Sequence, residues 1–293
     1  MSNRKPGSFR SIAQLTVFLA LLAALAAVML LRPHSAPAAA PANAALGITV
    51  LDVGQGDAIV LSSGGQYMLV DAGENGCGDD VVNYLKSRGV QRLAAVVGTH
   101  PHSDHIGGLD DVLDAIPVGK LYLSPRTADT ETYEDALDAA ARRGLTATAP
   151  APGDKFTLGE AELTFLWPPK EYKSNEVNDW SLVLRVTAAG YSALLCGDIE
   201  EDAERALLDS GAALGCDVLK VAHHGSGTSS GKDFLKAVSP EIALISVGAG
   251  NDYGHPDKRT LSRLADVGAA CYRTDKEGNI TVYFTSDGIS VEK

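Results

Sequence analysis

Five short apolar segments of this chain run directly into polar clusters, and this pattern limits the possible folds more than any other feature. Residues 67–70 end on Asp71-Ala72-Gly73, and 93–97 lead into Thr99-His100-Pro101-His102-Ser103-Asp104-His105. Residues 193–196 end on Gly197-Asp198, and 218–222 on His223-His224-Gly225-Ser226. Residues 242–247 are followed by a Gly-rich loop that reaches His255-Pro256. Length and apolar content make each segment a buried strand. Helical spacing fills the gaps at 79–88, 106–115, 131–143, 200–208 and 257–267, and hairpin signals such as Gly64-Gly65 flank the alternation. Mixed sheets covered by helices are therefore expected. Open αβ sheets hold ligands beyond the carboxyl ends of their strands, so the polar clusters should meet in space.

The densest cluster places three histidines and an aspartate between His100 and His105. Imidazole and carboxylate donors suit zinc, manganese or iron better than magnesium or calcium, which prefer oxygen alone. His100 and His102 are two residues apart and point the same way in an extended loop. Asp104 and His105 supply donors on the other side of the turn. Gly107-Gly108 is expected to let the next helix start close to the metals. Two such donor sets can hold two ions that share a nucleophilic water, and zinc lowers the pKa of such water to about 7. Several of these residues also have a plainer reading. Asp198 can cap the helix that follows it, His223-His224 can be a buried pair, and His255 can be a loop residue. Asp71 reads as a turn residue, or as a carboxylate that orients a metal-binding histidine from behind.

The amino end has a different character. Arg4, Lys5 and Arg10 precede an apolar run at 12–31, close to the roughly 20 residues that span a bilayer. Residues 1–34 are expected to be a signal peptide or a signal-anchor helix with the domain outside the cell, 35–46 an Ala/Pro linker, and 47–293 the hydrolase domain. Residues 1–44 carry four basic side chains and no acid, so the remainder carries −16 against −12 for the whole chain. That charge disfavours tight non-specific binding to nucleic acid. Cys77, Cys196, Cys216 and Cys271 match no zinc or redox spacing. An extracellular setting permits disulfides, and Cys196 and Cys216 also read as small core residues.

The stretch Thr99–His105 resembles the H-x-H-x-D-H motif of the metallo-β-lactamase superfamily. The closer likeness is to the β-lactamase-like carboxyl-terminal domain of ComEC-type competence proteins. It is carried by Leu51-Asp52-Val53-Gly54-Gln55-Gly56-Asp57, Leu69-Val70-Asp71-Ala72-Gly73, the segment from Asn178 to Leu184, Leu195-Cys196-Gly197-Asp198, Lys220-Val221-Ala222-His223-His224-Gly225-Ser226 and the segment from Asn251 to Pro256. The resemblance implies an α/β protein, a four-layer αβ/βα sandwich with two divalent ions, Zn²⁺ or Mn²⁺, at one edge. His100 and His102 would bind the first ion, Asp104 and His105 the second, and Asp198 both. One of the two adjacent histidines, His223 in preference to His224, is expected to complete the second site, with the other holding a phosphate or protonating a leaving group. Asp104, His224 and His255 are the expected catalytic residues, and Asp71, Asn178, Ser181 and Ser226 the expected supporting or substrate-contacting ones. Many superfamily members have a further histidine between the loop motif and the bridging aspartate. This chain has none between His105 and His223, so Asn178 or Ser181 is expected to face the first ion.

The implied activity is extracytoplasmic hydrolysis of a phosphodiester, with DNA among the candidate substrates. The alternatives are hydrolysis of a β-lactam, lactone or thioester, and a non-catalytic module for DNA uptake or envelope binding. No organic cofactor is expected, the membrane is met through the amino-terminal segment, and the chain is expected to be a monomer.

Overall fold

The structure, a computed structural model, describes residues Ala40–Lys293. The expected leader at 1–34 and the first part of the linker lie outside the described residues. In chain order the strands are β1 (Ala44–Val50), β2 (Ala58–Ser63), β3 (Gln66–Ala72), β4 (Ala95–Gly98), β5 (Leu121–Leu123), β6 (Ala147–Thr148), β7 (Lys155–Leu158) and β8 (Ala161–Trp167). They continue with β9 (Val183–Ala188), β10 (Tyr191–Leu195), β11 (Val218–Lys220), β12 (Ile242–Ile245), β13 (Ala270–Arg273), β14 (Ile280–Thr285) and β15 (Gly288–Glu292). One sheet has the order β15-β14-β1-β2-β3-β4-β5-β6 and the other β13-β12-β11-β10-β9-β8-β7. β1, β2 and β3 pair antiparallel, whereas β3, β4 and β5 run parallel with Val70 opposite Val97. In the second sheet β10 to β13 run parallel. Parallel runs bring successive carboxyl ends to one rim, and those ends carry the polar clusters.

Period-two alternation sorts the side chains. On β3 and β4, Met68, Val70, Ala95 and Val97 face the second sheet. Leu69 and Val96 face the other way, onto helices Gly78–Ser87, Leu109–Ala115 and Glu131–Arg142. Ile48, Leu61 and Val97 of the first sheet share one buried cluster with Phe165, Leu184 and Leu195 of the second. Leu194, Leu219 and Ala243 pack outward against Leu207, Phe234 and Leu264. Those three residues belong to helices Glu201–Asp209, Lys232–Val238 and Lys258–Asp266. The result is helix, sheet, sheet, helix: the expected four-layer sandwich. Helices of 7–12 residues are marginal alone in water, so this burial holds them. Truncating a residue such as Phe165 at the inter-sheet core would cost about 3–5 kcal/mol.

Local departures from the sequence reading have identifiable causes. β1 begins at Ala44, inside the stretch expected as linker, because Leu46 is fully buried in the inter-sheet core. The strand expected at 218–222 stops at Lys220, and Ala222–Gly225 form a 3-10 turn. The helix expected at 106–115 is two pieces, Ser103–Ile106 and Leu109–Ala115. The break falls at Gly107-Gly108, where added Cβ atoms would meet Asn75 N at 2.2 Å and Ala72 O at 2.5 Å. These glycines let the chain press against the turn after β3. All four cysteines are free, and Cys196 and Cys216 belong to the outer core of the second sheet. Among the described residues no helix is long and apolar enough to cross a membrane.

Candidate metal centre

Four side chains from three connections meet at the rim. Asp104 and His105 come from the loop after β4, Asp198 from the end of β10, and His224 from the turn after β11. One donor atom from each lies within 4.8 Å of all the others. His105 Nε2 is 3.2 Å from Asp198 Oδ1, and His224 Nε2 is 3.2 Å from Asp104 Oδ2 and 3.4 Å from Asp198 Oδ2. His105 Nε2 and Asp198 Oδ1 are buried, and apart from this 3.2 Å contact with each other neither has a hydrogen-bond partner. Buried polar atoms are rarely left unpaired, and two histidines with two carboxylates are donors that a divalent transition ion accepts. The residues therefore fit such an ion.

Each imidazole is fixed from behind. His105 Nδ1 lies 2.8 Å from Asp71 Oδ2, and Asp71 also accepts the Thr99 N–H and hydroxyl, each at 2.7 Å. His224 Nδ1 donates to the Ser246 carbonyl at 3.0 Å, with Asp57 Oδ1 at 3.3 Å. Asp57 Oδ2 is in turn 2.7 Å from Lys220 Nζ, and both side chains are buried. Burial alone would raise the Asp57 carboxyl, but Lys220 and His224 bring it down to about 2. Asp57, Asp71 and His105 also form a compact donor group. Lys220 holds Asp57 and Thr99 holds Asp71, so this group supports the centre rather than forming another.

The electrostatics point the same way. Burial opposes ionisation of Asp198, yet His105 and His224 hold its carboxyl well below the usual range. Burial likewise opposes charge on His105 and His224, but Asp198 and the neighbouring carboxylates draw protons onto both rings. The cluster is built to hold positive charge, which a divalent ion supplies in place of those protons. His100 is pushed down by burial and then by His105, and His102 by burial. Both are thereby kept as neutral donors.

His223 lies outside the four-residue cluster, contrary to the sequence expectation, and His224 stands in its place. Both adopt the left-handed backbone conformation, with φ of 50° and 52°. The local path of this turn sends the His224 ring inward and the His223 ring toward the opening. His223 Nδ1 is 3.1 Å from Glu200 Oε1, while its Nε2 is 3.8 Å from Asp198 Oδ2. Asp198 does not cap the following helix, because Glu200 occupies that position. Instead the Asp198 N–H donates to Ser181 Oγ at 3.0 Å, and Ser181 Oγ donates to the Asn178 carbonyl at 2.7 Å. Ser181 thus braces the Asp198 backbone. Ser226 pairs with Thr228 within its own loop.

His100 and His102 approach each other at 3.0 Å, but the compact donor groups of the described residues do not extend to them. Asn178 lies nearby. Its amide nitrogen donates to Glu200 at 3.2 Å, and its Oδ1 is buried without a partner. Asn178 lines a cavity of about 330 Å³ together with Gln55, His102, Asp104, Asp198, His223, His224, Tyr253 and His255. The cavity is open enough for a small substrate group to reach the cluster.

Asp57, Lys220, Glu200 and Tyr253 were not singled out by the sequence reading. A lysine on the same strand face as Val218 was the available signal for Lys220, because alternation places it in the interior. Asp57 was read only as the end of the segment 51–57, in the turn between β1 and β2, with no role of its own. That turn packs directly on the metal loop: a Cβ on Gly56 would meet Asp104 O at 2.3 Å, and the Asp57 N–H donates to the same oxygen at 3.0 Å.

Comparison with known proteins agrees with this geometry. The family model described as "Metallo-beta-lactamase superfamily" matches residues 51–249. "Competence protein ComA" of Neisseria gonorrhoeae is 34% identical over 88% of this chain and 35% of its own length. "ComE operon protein 3" of Bacillus subtilis is 29% identical over 80% of this chain and 32% of its own. "Recombination protein 2" of Haemophilus influenzae is 28% identical over 84% and 30%. The chain thus spans about a third of the length of these curated relatives. Among solved structures, Igni18, a metallo hydrolase of Ignicoccus hospitalis, has a TM-score of 0.54 at 16% identity, covering 82% of this chain and all of that one. YhfI of Bacillus subtilis, a metallo-beta-lactamase fold protein, has a TM-score of 0.51 at 15% identity, covering 84% of this chain and all of that one. Motif, layer order and family match agree: the chain belongs to the metallo-β-lactamase superfamily.

Proposed function

We propose that this chain hydrolyses phosphodiesters with two divalent ions, zinc or manganese, and that its domain works outside the cell with residues 1–34 as leader or membrane anchor. The observation that carries the reading is the convergence of Asp104, His105, Asp198 and His224 behind an open cavity that Asp104, Asp198 and His224 line. Bound there, the ions would supply Lewis acidity toward a phosphoryl oxygen and lower the pKa of an attacking water. Asp71 and Asp57 hold His105 and His224 with Nε2 turned toward the cluster. His100 and His102 would provide the first site, with the Asn178 side-chain oxygen in place of the histidine that many superfamily members have. His223, fixed through Nδ1 by Glu200, turns Nε2 toward the cavity and is placed to hold a phosphoryl oxygen or give a proton to the leaving group. Its role and that of His224 are therefore exchanged relative to the sequence expectation. His255 lines the mouth.

Relatives named as competence proteins support DNA as one substrate, and the arginines and lysine ahead of the apolar run support an external domain. The test is a substrate panel on the full chain with added Zn²⁺ or Mn²⁺. It contains bis(p-nitrophenyl) phosphate, single-stranded and plasmid DNA, p-nitrophenyl phosphorylcholine and a chromogenic cephalosporin. Diester turnover that Asp198→Asn abolishes is expected. Turnover of the cephalosporin without any diester would overturn the reading in favour of a lactamase, and metal-free, inert protein would favour a binding module.

A further inference from the structure

Tyr253 is 72% exposed, against 37% for Leu137, the other large apolar side chain left open among the described residues. The loop that carries it is not loose. Asn251 Nδ2 donates to the carbonyls of Gly248 and His255 at 2.9 and 2.8 Å, and Asn251 Oδ1 accepts the His255 N–H at 3.0 Å. The Tyr253 ring stacks on His255, with centroids 5.8 Å apart and planes 19° from parallel. His255 meets His223 at 5.7 Å, and His223 meets His224 at 6.1 Å. A continuous row of rings thus runs from the buried cluster to an exposed aromatic face on the same cavity.

A rigid aromatic surface held open to water beside an anion-handling site is a platform for a planar group attached to the anion. We propose that Tyr253 is a stacking platform for an unpaired nucleobase adjacent to the phosphodiester in the cavity, an inference that rests on the phosphodiester reading above. A base is flat and hangs from the phosphate through a sugar, which suits a ring set out beyond His223 and His255. In a duplex both faces of a base are covered by its neighbours, so only a single strand offers a free face. A second depression, reached through Glu200 beside His223, is lined by Glu176, Glu200, Glu201 and Asp202 against the single cation Arg259, so it repels an extended polyanion. The strand is therefore gripped at one base rather than along a basic track.

Binding of a fluorescein-labelled, cleavage-resistant phosphorothioate oligothymidylate to the full chain with Mn²⁺, followed by anisotropy, tests this against an abasic strand of equal length. The wild type is expected to bind the strand with bases more tightly. Tyr253→Ala should weaken that binding roughly 5- to 150-fold, the equivalent of about 1–3 kcal/mol per stacked base, and leave the abasic strand unchanged. Tyr253→Trp should retain the preference. Equal binding of the two strands by wild type, binding of neither, or an unchanged preference in Tyr253→Ala would overturn the platform even if diesters are hydrolysed. Base-dependent binding through Tyr253 without turnover of any diester in the panel above would refute the hydrolase reading and leave the platform standing.

Discussion

Replacing Lys220 with methionine is a sharp test of how the centre is supported from behind. Lys220 Nζ and Asp57 Oδ2 are 2.7 Å apart and both side chains are buried. Methionine keeps most of the apolar stem, so the main loss is the charge. Asp57 then keeps only His224, at 3.3 Å, to offset its burial, and removing one partner of a buried pair costs about 3–5 kcal/mol. The depression of Asp57 from 3.8 to about 2 corresponds to only about 2 kcal/mol. The larger figure applies because that depression is net of a burial penalty which Lys220 and His224 now offset together. The sign follows from linkage. A carboxylate depressed in the folded state contributes stability above its unfolded pKa, and this contribution is lost as pH falls from about 4 through about 2. At pH 7 the full effect should appear. Urea unfolding of wild type, Lys220→Met, Asp57→Asn and the double variant forms a cycle. The double variant should lose clearly less than the two single losses combined, with coupling of about 2 kcal/mol or more. Metal affinity of the His224 side should fall about 10- to 100-fold in Asp57→Asn. A Lys220→Met loss below about 1 kcal/mol, or additive single losses, would refute the argument.

Three further outcomes are expected. Glu204 is buried, and burial raises its carboxyl to about 7 despite hydrogen bonds from Ser230 and Gly231 N–H; Glu201 adds to the rise and Arg263 reduces it. A folded pKa above the unfolded one means stability present below about pH 4.5 and lost as pH rises through about 7, by up to roughly 3 kcal/mol. Urea midpoints measured from pH 4.5 to 8 should show that decline in wild type, and a parallel curve for Glu204→Gln would contradict it. His224→Asn should remove bound metal measured by elemental analysis, whereas His223→Asn should leave the metal in place, and the reverse ranking would restore the sequence assignment. Gly56→Ala forces a Cβ onto the Asp104 carbonyl at 2.3 Å, at a φ of +133°. It should lower the unfolding midpoint and weaken metal binding together, and unchanged metal affinity would show that the turn does not hold the loop.

Much of the architecture was legible because it depends on period and punctuation. Met68, Leu69 and Val70 alternate between the two faces of β3 as their sequence requires, and the strands ending at Asp71, Thr99 and Asp198 announced the rim. The choice between His223 and His224 was not legible. Adjacent side chains point in different directions, and which one points inward depends on two left-handed backbone conformations that no propensity signals. The role of Asp57 was hidden for another reason: its partners Lys220 and His224 lie far along the chain, and only sheet packing joins them. The start of β1 at Ala44 was obscured because alanines serve equally in a linker and in a buried strand. Gly107-Gly108 was read as letting the helix start close to the metals, and nothing in the sequence signalled that the same glycines also admit the turn after β3.

The central claim is that the Asp104, His105, Asp198 and His224 cluster binds metal and that this metal hydrolyses a phosphodiester. Measuring metal content and bis(p-nitrophenyl) phosphate turnover on the same samples tests it most directly, using wild type, chelator-stripped wild type, reconstituted wild type and Asp198→Asn. Turnover is expected to follow bound metal, to vanish on stripping, to return with Zn²⁺ or Mn²⁺ and to be lost with the metal in Asp198→Asn. Diester turnover that persists in the stripped protein or in Asp198→Asn would contradict the claim, as would full metal occupancy with no turnover in any reconstituted sample.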